Sequence, residues 1–189
     1  MKNAKLFLII GPSGVGKGTA LRNIKKKHPE WFFPVSYTTR DKRPAEQPGE
    51  TYHFINKDEF EEKIQNNFFL EWQMVHGQDL YGTDKGSIQE SLKNGIHAIR
   101  EMDIQGVESI LAKKTELPIK TIFIATDSWE TLLSRINRRS KLSEQEIQRR
   151  HSSYIKEMEF LQKSDYLVYS DEGQINKLVT DIENIISKY

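Results

Sequence analysis

The chain has 189 residues, 37% hydrophobic and 29% charged, with 28 Lys+Arg against 27 Asp+Glu and a formal net charge of +1. That length suits one domain with a real core and room for an inserted subdomain, while the balanced charge excludes a general electrostatic footprint for nucleic acid or acidic membrane. With no cysteine in the sequence, disulfides, thiol nucleophiles and thiolate-bound zinc are excluded. The first element is Leu6-Phe7-Leu8-Ile9-Ile10, an apolar run without polar alternation, which predicts a strand buried on both faces of a parallel sheet. It is far too short to cross a bilayer. Lys2 and Lys5 precede it as in a signal peptide, but it runs into Gly11-Pro12-Ser13-Gly14 with no small-residue cleavage site, so a cytoplasmic protein is expected.

Gly11-Pro12-Ser13-Gly14-Val15-Gly16-Lys17 follows that strand and opens a helix over Lys17 to Lys27, with Ala20, Leu21 and Ile24 facing inward. This is the context a phosphate-binding loop requires. Glycines let backbone N–H groups converge on one point, and the helix N-terminus adds positive potential there. Lys17 would then reach the β- and γ-phosphates as a point charge. The candidate ATP-binding set is Gly11, Pro12, Ser13, Gly14, Val15, Gly16, Lys17, Gly18 and Thr19. The pattern wants Ser or Thr directly after the lysine, but Gly18 stands there, ahead of Thr19. The ligand of an accompanying Mg²⁺ therefore stays open between Thr19, a water and phosphate oxygens alone.

From Val35 to Thr83 the rhythm changes to a stretch rich in Tyr, Phe, Thr, Glu, Pro and Gly, which reads as a small mixed subdomain over 35–83. Residues alternate at Thr51-Tyr52-His53-Phe54 and at Phe69-Leu70-Glu71-Trp72, and Asn56 is placed to cap a helix to about Asn66 with Phe60 and Ile64 inward. Ser36-Tyr37-Thr38-Thr39-Arg40-Asp41-Lys42-Arg43 sets two arginines three apart beside hydroxyls, a combination suited to a dianionic phosphate. Glu71, in an otherwise apolar run, is able to accept from guanine N1–H and the exocyclic amine, an edge adenine does not offer. Tyr81-Gly82-Thr83 adds two hydroxyls.

The rest of the chain alternates strand and helix. Ile96 to Met102 and Ile119 to Ala125 read as buried strands, Ser128 to Asn137 as a helix, and Ser143 with Glu146 as a capping box opening another. Tyr166 to Tyr169 reads as a short strand, and Ile175, Leu178, Val179, Ile182, Ile185 and Ile186 form a helical apolar stripe. The fold class is thus α/β, a parallel sheet flanked by helices. Arg135, Arg138, Arg139, Arg149 and Arg150 flank a polar break, as suits a lid over 135–150 that closes on phosphates. Glu101 and Asp103 end a buried strand, where carboxylates can face a magnesium shell. Histidines at 28, 53, 76, 97 and 151 have no paired ligand spacing and read as surface or packing residues.

Taken together, these segments resemble the guanylate kinase family over nearly the whole chain: the loop, Ser36 to Arg43, Glu71-Trp72, Tyr81-Gly82-Thr83, Asp103-Ile104-Gln105-Gly106 and the arginines. The resemblance implies an ATP:GMP phosphotransferase with a core (1–34, 84–134 and 151–189), a GMP-binding subdomain and a mobile lid. It implies that Arg40, Arg43, Tyr52 and Tyr81 hold the GMP phosphate and that Ser36, Glu71 and Thr83 read the base. Arg135, Arg139 and Arg150 match the family's phosphate-clamping arginines, whereas Arg138 and Arg149 do not. Glu101 and Asp103 fall where the family usually has Asp-x-Asp, joining the GMP site, with Glu101 near the metal. Ser170-Asp171 stands where the family has Asn-Asp. The expected partners are ATP and GMP, with dGMP open, no nucleic acid and no membrane, in a monomer or homodimer. The rivals are a kinase for another small phosphorylated acceptor, such as a ribose phosphate, and a non-catalytic module of the same fold. An intact Lys17 loop disfavours the module, and Glu71 beside Thr83 disfavours a sugar acceptor.

Overall fold

The structure is a computed structural model that describes residues 3–75, 77–113, 115–138 and 142–189. The chain begins with β1 (Leu6–Ile10), α1 (Lys17–Lys27), β2 (Ser36–Thr38), β3 (Tyr52–Phe54) and α2 (Lys57–Gln65). It continues with β4 (Phe69–Val75), β5 (Asp79–Asp84), α3 (Lys85–Lys93), β6 (Ala98–Glu101) and α4 (Ile104–Ala112). The last elements are β7 (Ile119–Ala125), α5 (Trp129–Asn137), α6 (Glu144–Glu159), β8 (Tyr166–Tyr169) and α7 (Ile175–Ile186).

Among the described residues, β6, β1, β7 and β8 form one all-parallel sheet in that order. Every residue of β1 is buried, because it is an inner strand covered on both faces. Its alternation shows where each face goes. Phe7 and Ile9 pack with Ala20 and Ile24 of α1 and with Leu178, Val179 and Ile182 of α7. Leu6, Leu8 and Ile10 pack with Ile88 of α3 and with Val107 and Ile110 of α4. Two half-cores on one sheet are what a parallel α/β topology produces.

A second sheet, in the order β3-β2-β5-β4, lies within residues 36–84 and is mixed, with β2 and β3 parallel and β5 antiparallel to β2 and β4. It carries its own small core of Phe60, Phe69 and Leu80. Asn56 caps α2 through the Glu59 amide, and the Glu59 carboxylate accepts from the Asn56 amide in return, so the capping box is complete there. At Ser143 only half of the expected box forms. Ser143 Oγ accepts from the Glu146 amide, but the Glu146 carboxylate turns to Arg149 and Arg150, where an ionic partner outbids a backbone donor. The strand expected from Ile96 starts only at Ala98, with Ile96 left exposed.

Candidate active site

The phosphate loop springs from the buried end of β1. Gly11, Gly14 and Gly16 all have positive φ, and Gly11 has a second reason to be glycine: a Cβ there would sit 2.2 Å from the Ile124 carbonyl oxygen on β7. The loop is therefore pressed against the sheet, and α1 starts directly from Gly16. The Lys17 ammonium spans the loop, donating to the Gly11 carbonyl at 2.6 Å and the Pro12 carbonyl at 3.2 Å. Loop, lysine and helix N-terminus together make a concentrated positive site.

Glu101, at the end of β6, reaches this loop. Its Oε2 lies 3.2 Å from where a Gly18 Cβ would stand, so any side chain at position 18 would crowd the carboxylate. Thr19 Oγ1 accepts from Arg22 at 3.2 Å. Among the described residues no three His, Cys, Asp or Glu side chains gather as a metal cage. One carboxylate and one hydroxyl beside a phosphate loop are nonetheless the donor set of a Mg²⁺ held mainly by phosphates and water. Asp103 is occupied differently: Oδ1 caps α4 through the Gly106 amide at 2.7 Å, and Oδ2 accepts from Gln73 of β4 at 3.0 Å.

On the second sheet, Arg40, Tyr52 and Tyr81 converge. The Arg40 guanidinium lies 5.6 Å from the Tyr52 ring centre, and the two tyrosine rings meet edge to face at 5.6 Å. Burial, then the nearby Tyr81, pushes the Tyr52 phenol up. Sequence reasoning gave Glu46 no role, yet it organises this corner. It accepts from Arg40 at 2.7 and 2.9 Å and from the Arg43 amide at 2.8 Å, and the Arg40 contact holds its carboxyl below the usual range. The Arg43 side chain is exposed and is not among the converging groups.

Glu71 and Thr83 face each other across the β4–β5 ladder, both buried, and the Thr83 hydroxyl donates to Glu71 Oε1. A second unforeseen residue joins them. Arg100 of β6 donates to Ser36 Oγ at 3.0 Å and to Glu71 Oε1 at 3.4 Å. The available signal was a charged residue inside an apolar strand. Ser36, Tyr52, Tyr81, Arg100, Glu101 and Gly18 line one groove of about 770 Å³, so residues of the second sheet, the end of β6 and the first turn of α1 share a single cleft.

The arginines of α5 and α6 have separate partners. Arg135 is anchored by Ser170, donating to its Oγ at 2.9 Å and its carbonyl at 2.6 Å. Arg150 is held by Glu146 at 2.9 Å and reaches Ser13 of the loop at 3.4 Å. Arg138 pairs with Glu172 and Arg149 with Glu146. Arg139 and His76 lie outside the described residues. A cavity of about 270 Å³ separates the loop from α5 and α6, with Ser13, Trp129, Arg150 and Glu157 in its wall. Glu157 was not anticipated either. Burial raises its pKa, opposed by Lys17 and reinforced by Asp103.

A parallel sheet whose first strand ends in a glycine loop, with a lysine across the loop and arginines converging on it, defines a phosphate-loop nucleotide-binding protein of the kinase type. A family model described as guanylate kinase matches residues 3–189. The guanylate kinase of Clostridium tetani is 39% identical over 187 residues, covering 99% of this chain and 87% of its own. That of Corynebacterium jeikeium is 33% identical over 187 residues, covering 98% and 97%. Among solved structures, guanylate kinase from Anaplasma phagocytophilum matches with a TM-score of 0.74 at 22% identity, over 99% of this chain and 86% of that one, a likeness of fold. The chain belongs to the guanylate kinase family.

Proposed function

We propose that the protein transfers the γ-phosphoryl group of ATP to GMP, giving ADP and GDP. The observation that carries this reading is the buried Glu71, a carboxylate set between apolar neighbours on the acceptor side of the cleft. Guanine N1–H and the 2-amino group would satisfy it, whereas adenine would set the N1 lone pair against its charge. In this reading residues 35–83 form the GMP-binding subdomain and 135–150 the lid, on a core made by the rest.

Each residue's part follows from its surroundings. Lys17 and the loop amides would hold the β- and γ-phosphates of ATP. Arg40, already splinted by Glu46, would meet the GMP phosphate with Tyr52, Tyr81 and Arg43. Ser36, Glu71 and Thr83 would orient the base. Arg135, Arg139 and Arg150 would close over the transferring group, where the charge on its oxygens spreads. The acceptor phosphate is already largely anionic at neutral pH, since its second pKa is near ~6, so no strong general base is required. Glu101 and Thr19 are the residues that would hold a Mg²⁺ through its water shell, and bound with ATP the ion would supply charge neutralisation at the phosphates. A cytoplasmic location belongs to the same proposal, since ATP and GMP are cytoplasmic metabolites; among the described residues no helix is long and apolar enough to cross a membrane.

The deciding experiment is an ADP-release assay with ATP and Mg²⁺ across GMP, AMP, CMP, UMP and ribose phosphates. Turnover confined to GMP and its close analogues supports the reading. Preference for a ribose phosphate, or no turnover with any acceptor, overturns it.

A further inference from the structure

Arg100 is an expensive residue in its place. It follows Ala98 and Ile99 on β6, and its side chain is only 15% exposed. Its Nε is buried with no hydrogen-bond partner. Burying a guanidinium with an unmade hydrogen bond costs free energy. Burial pulls its pKa down, while Glu71, Tyr52, Asp103 and Glu101 act in the opposite direction, and arginine stays charged regardless. Two bonds offset this cost, and both go to the second sheet, to Ser36 on β2 and Glu71 on β4, from positions 64 and 29 residues distant.

We propose that Arg100 is a positioning residue for base recognition: its guanidinium ties Ser36 and Glu71 into one rigid edge and turns the second oxygen of Glu71 toward the guanine amino group. This rests on the GMP kinase reading above. Thr83 and Arg100 both donate to Oε1 of Glu71, and among the described residues Oε2 makes no hydrogen bond. The carboxylate is thereby asymmetric before the nucleotide arrives. One oxygen is held by the protein and the other is left for the two donors of the base. Without Arg100, the carboxyl group turns more freely and the buried charge loses its only cationic contact among the described residues. Guanine would then have to order its own receptor, at a cost in affinity.

The test compares GMP with IMP, which keeps N1–H and O6 but lacks the 2-amino group. In the wild-type protein a strong preference for GMP is expected. Arg100→Met should raise the KM for GMP by about 10–100-fold and narrow the GMP:IMP ratio of kcat/KM by about 10-fold, with the loss falling on KM rather than kcat. Arg100→Lys keeps the charge but makes one bond in place of two, so it should lie between them; it also answers the question should the Met variant fail to fold. In a Glu71→Gln background, Arg100→Met should no longer move the ratio, because the residue acts through Glu71. A wild-type protein inactive on GMP overturns the kinase reading and this proposal with it. An active wild type whose ratio is unmoved by Arg100→Met and Arg100→Lys, or moved equally with and without Glu71, overturns this proposal alone.

Discussion

Lys17 is held in place by the loop that carries it. Its ammonium bonds two carbonyls of its own loop, so its charge is held where phosphate oxygens would converge. Because these contacts are local and the core lies elsewhere, Lys17→Ala should leave the circular dichroism spectrum and melting transition intact. It should lower turnover by about 10²–10³, the usual loss for one preorganised charge at a reacting phosphate. A variant with near-normal kcat would remove the loop from the mechanism. Arg100 marks the other extreme of legibility. The sequence displays a charge inside Ala98-Ile99-Arg100-Glu101, yet nothing in a linear pattern says which distant residues a buried charge will meet. Glu46 was hidden for a related reason: three residues past Arg43, it reads as one more solvated charge until the loop folds it under Arg40. Arg40, Tyr52, Glu71, Tyr81 and Thr83 stood out in the sequence because their types suit phosphate or guanine; the structure sets Tyr52 and Tyr81 in one groove with Arg40 against the Tyr52 ring, and pairs Glu71 with Thr83 beside Arg100.

Elements with a strong pattern of their own were readable: β1, α1, β7, α5 and α7 each carry an apolar run or stripe that only one structure buries. Others owe their form to neighbours. β5 is Asp79-Leu80-Tyr81-Gly82-Thr83-Asp84, too polar to announce a strand, and it exists because β2 and β4 pair with both its edges. α3 opens with Lys85-Gly86-Ser87, where the weak helix formers Gly86 and Ser87 are rescued by Asp84, whose side chain caps two amides. The junction of β7 and β8 depends on one carboxylate. Asp165 accepts from Lys120 at 2.6 Å and from the Thr121 amide and hydroxyl, each at 2.9 Å. Burial alone would raise its pKa, but these bonds outweigh it and hold the carboxyl below its ordinary value. A carboxyl with a lowered folded-state pKa adds stability above the unfolded-state value, and that stability disappears as pH falls through the folded value. Asp165→Asn should therefore cost about 1 kcal/mol near neutral pH, after allowance for solvent screening, and lower Tm by about 2–4 °C. The gap should close in acid. Melting curves for both proteins from neutral to acidic pH check this, and a gap that widens in acid contradicts the role.

At the scale of the molecule, Arg149 and Arg150 of α6 border, with Pro12 and Ser13 of the loop, a cavity distinct from the groove lined by Ser36 and Tyr81. Arg150 already touches Ser13, so in the proposed lid it is the described arginine best placed to follow phosphate charge into the transition state. Arg150→Ala should lower kcat by about 10-fold or more with little change in the KM for GMP. A rise in KM at constant kcat would assign it to ground-state binding instead. The two sheets also differ in when they can form. Residues 36–84 hold every strand of the second sheet, whereas β1 has its partners at Ala98 and Ile119. A ribosome adding about 5–20 residues per second therefore exposes Leu6–Ile10 for several seconds before either partner strand has been made. The nascent chain should form its second sheet before the parallel sheet that carries the phosphate loop. Stalled chains tethered so that residues up to about 95 have cleared the ribosome, with β6 not yet made, are the material to check it: protease protection should appear over 36–84 while the β1 segment is still cut, and simultaneous protection would contradict that order. The strand that carries the phosphate loop is thus made well ahead of both strands that shelter it, and in that interval its five apolar side chains stand open to water.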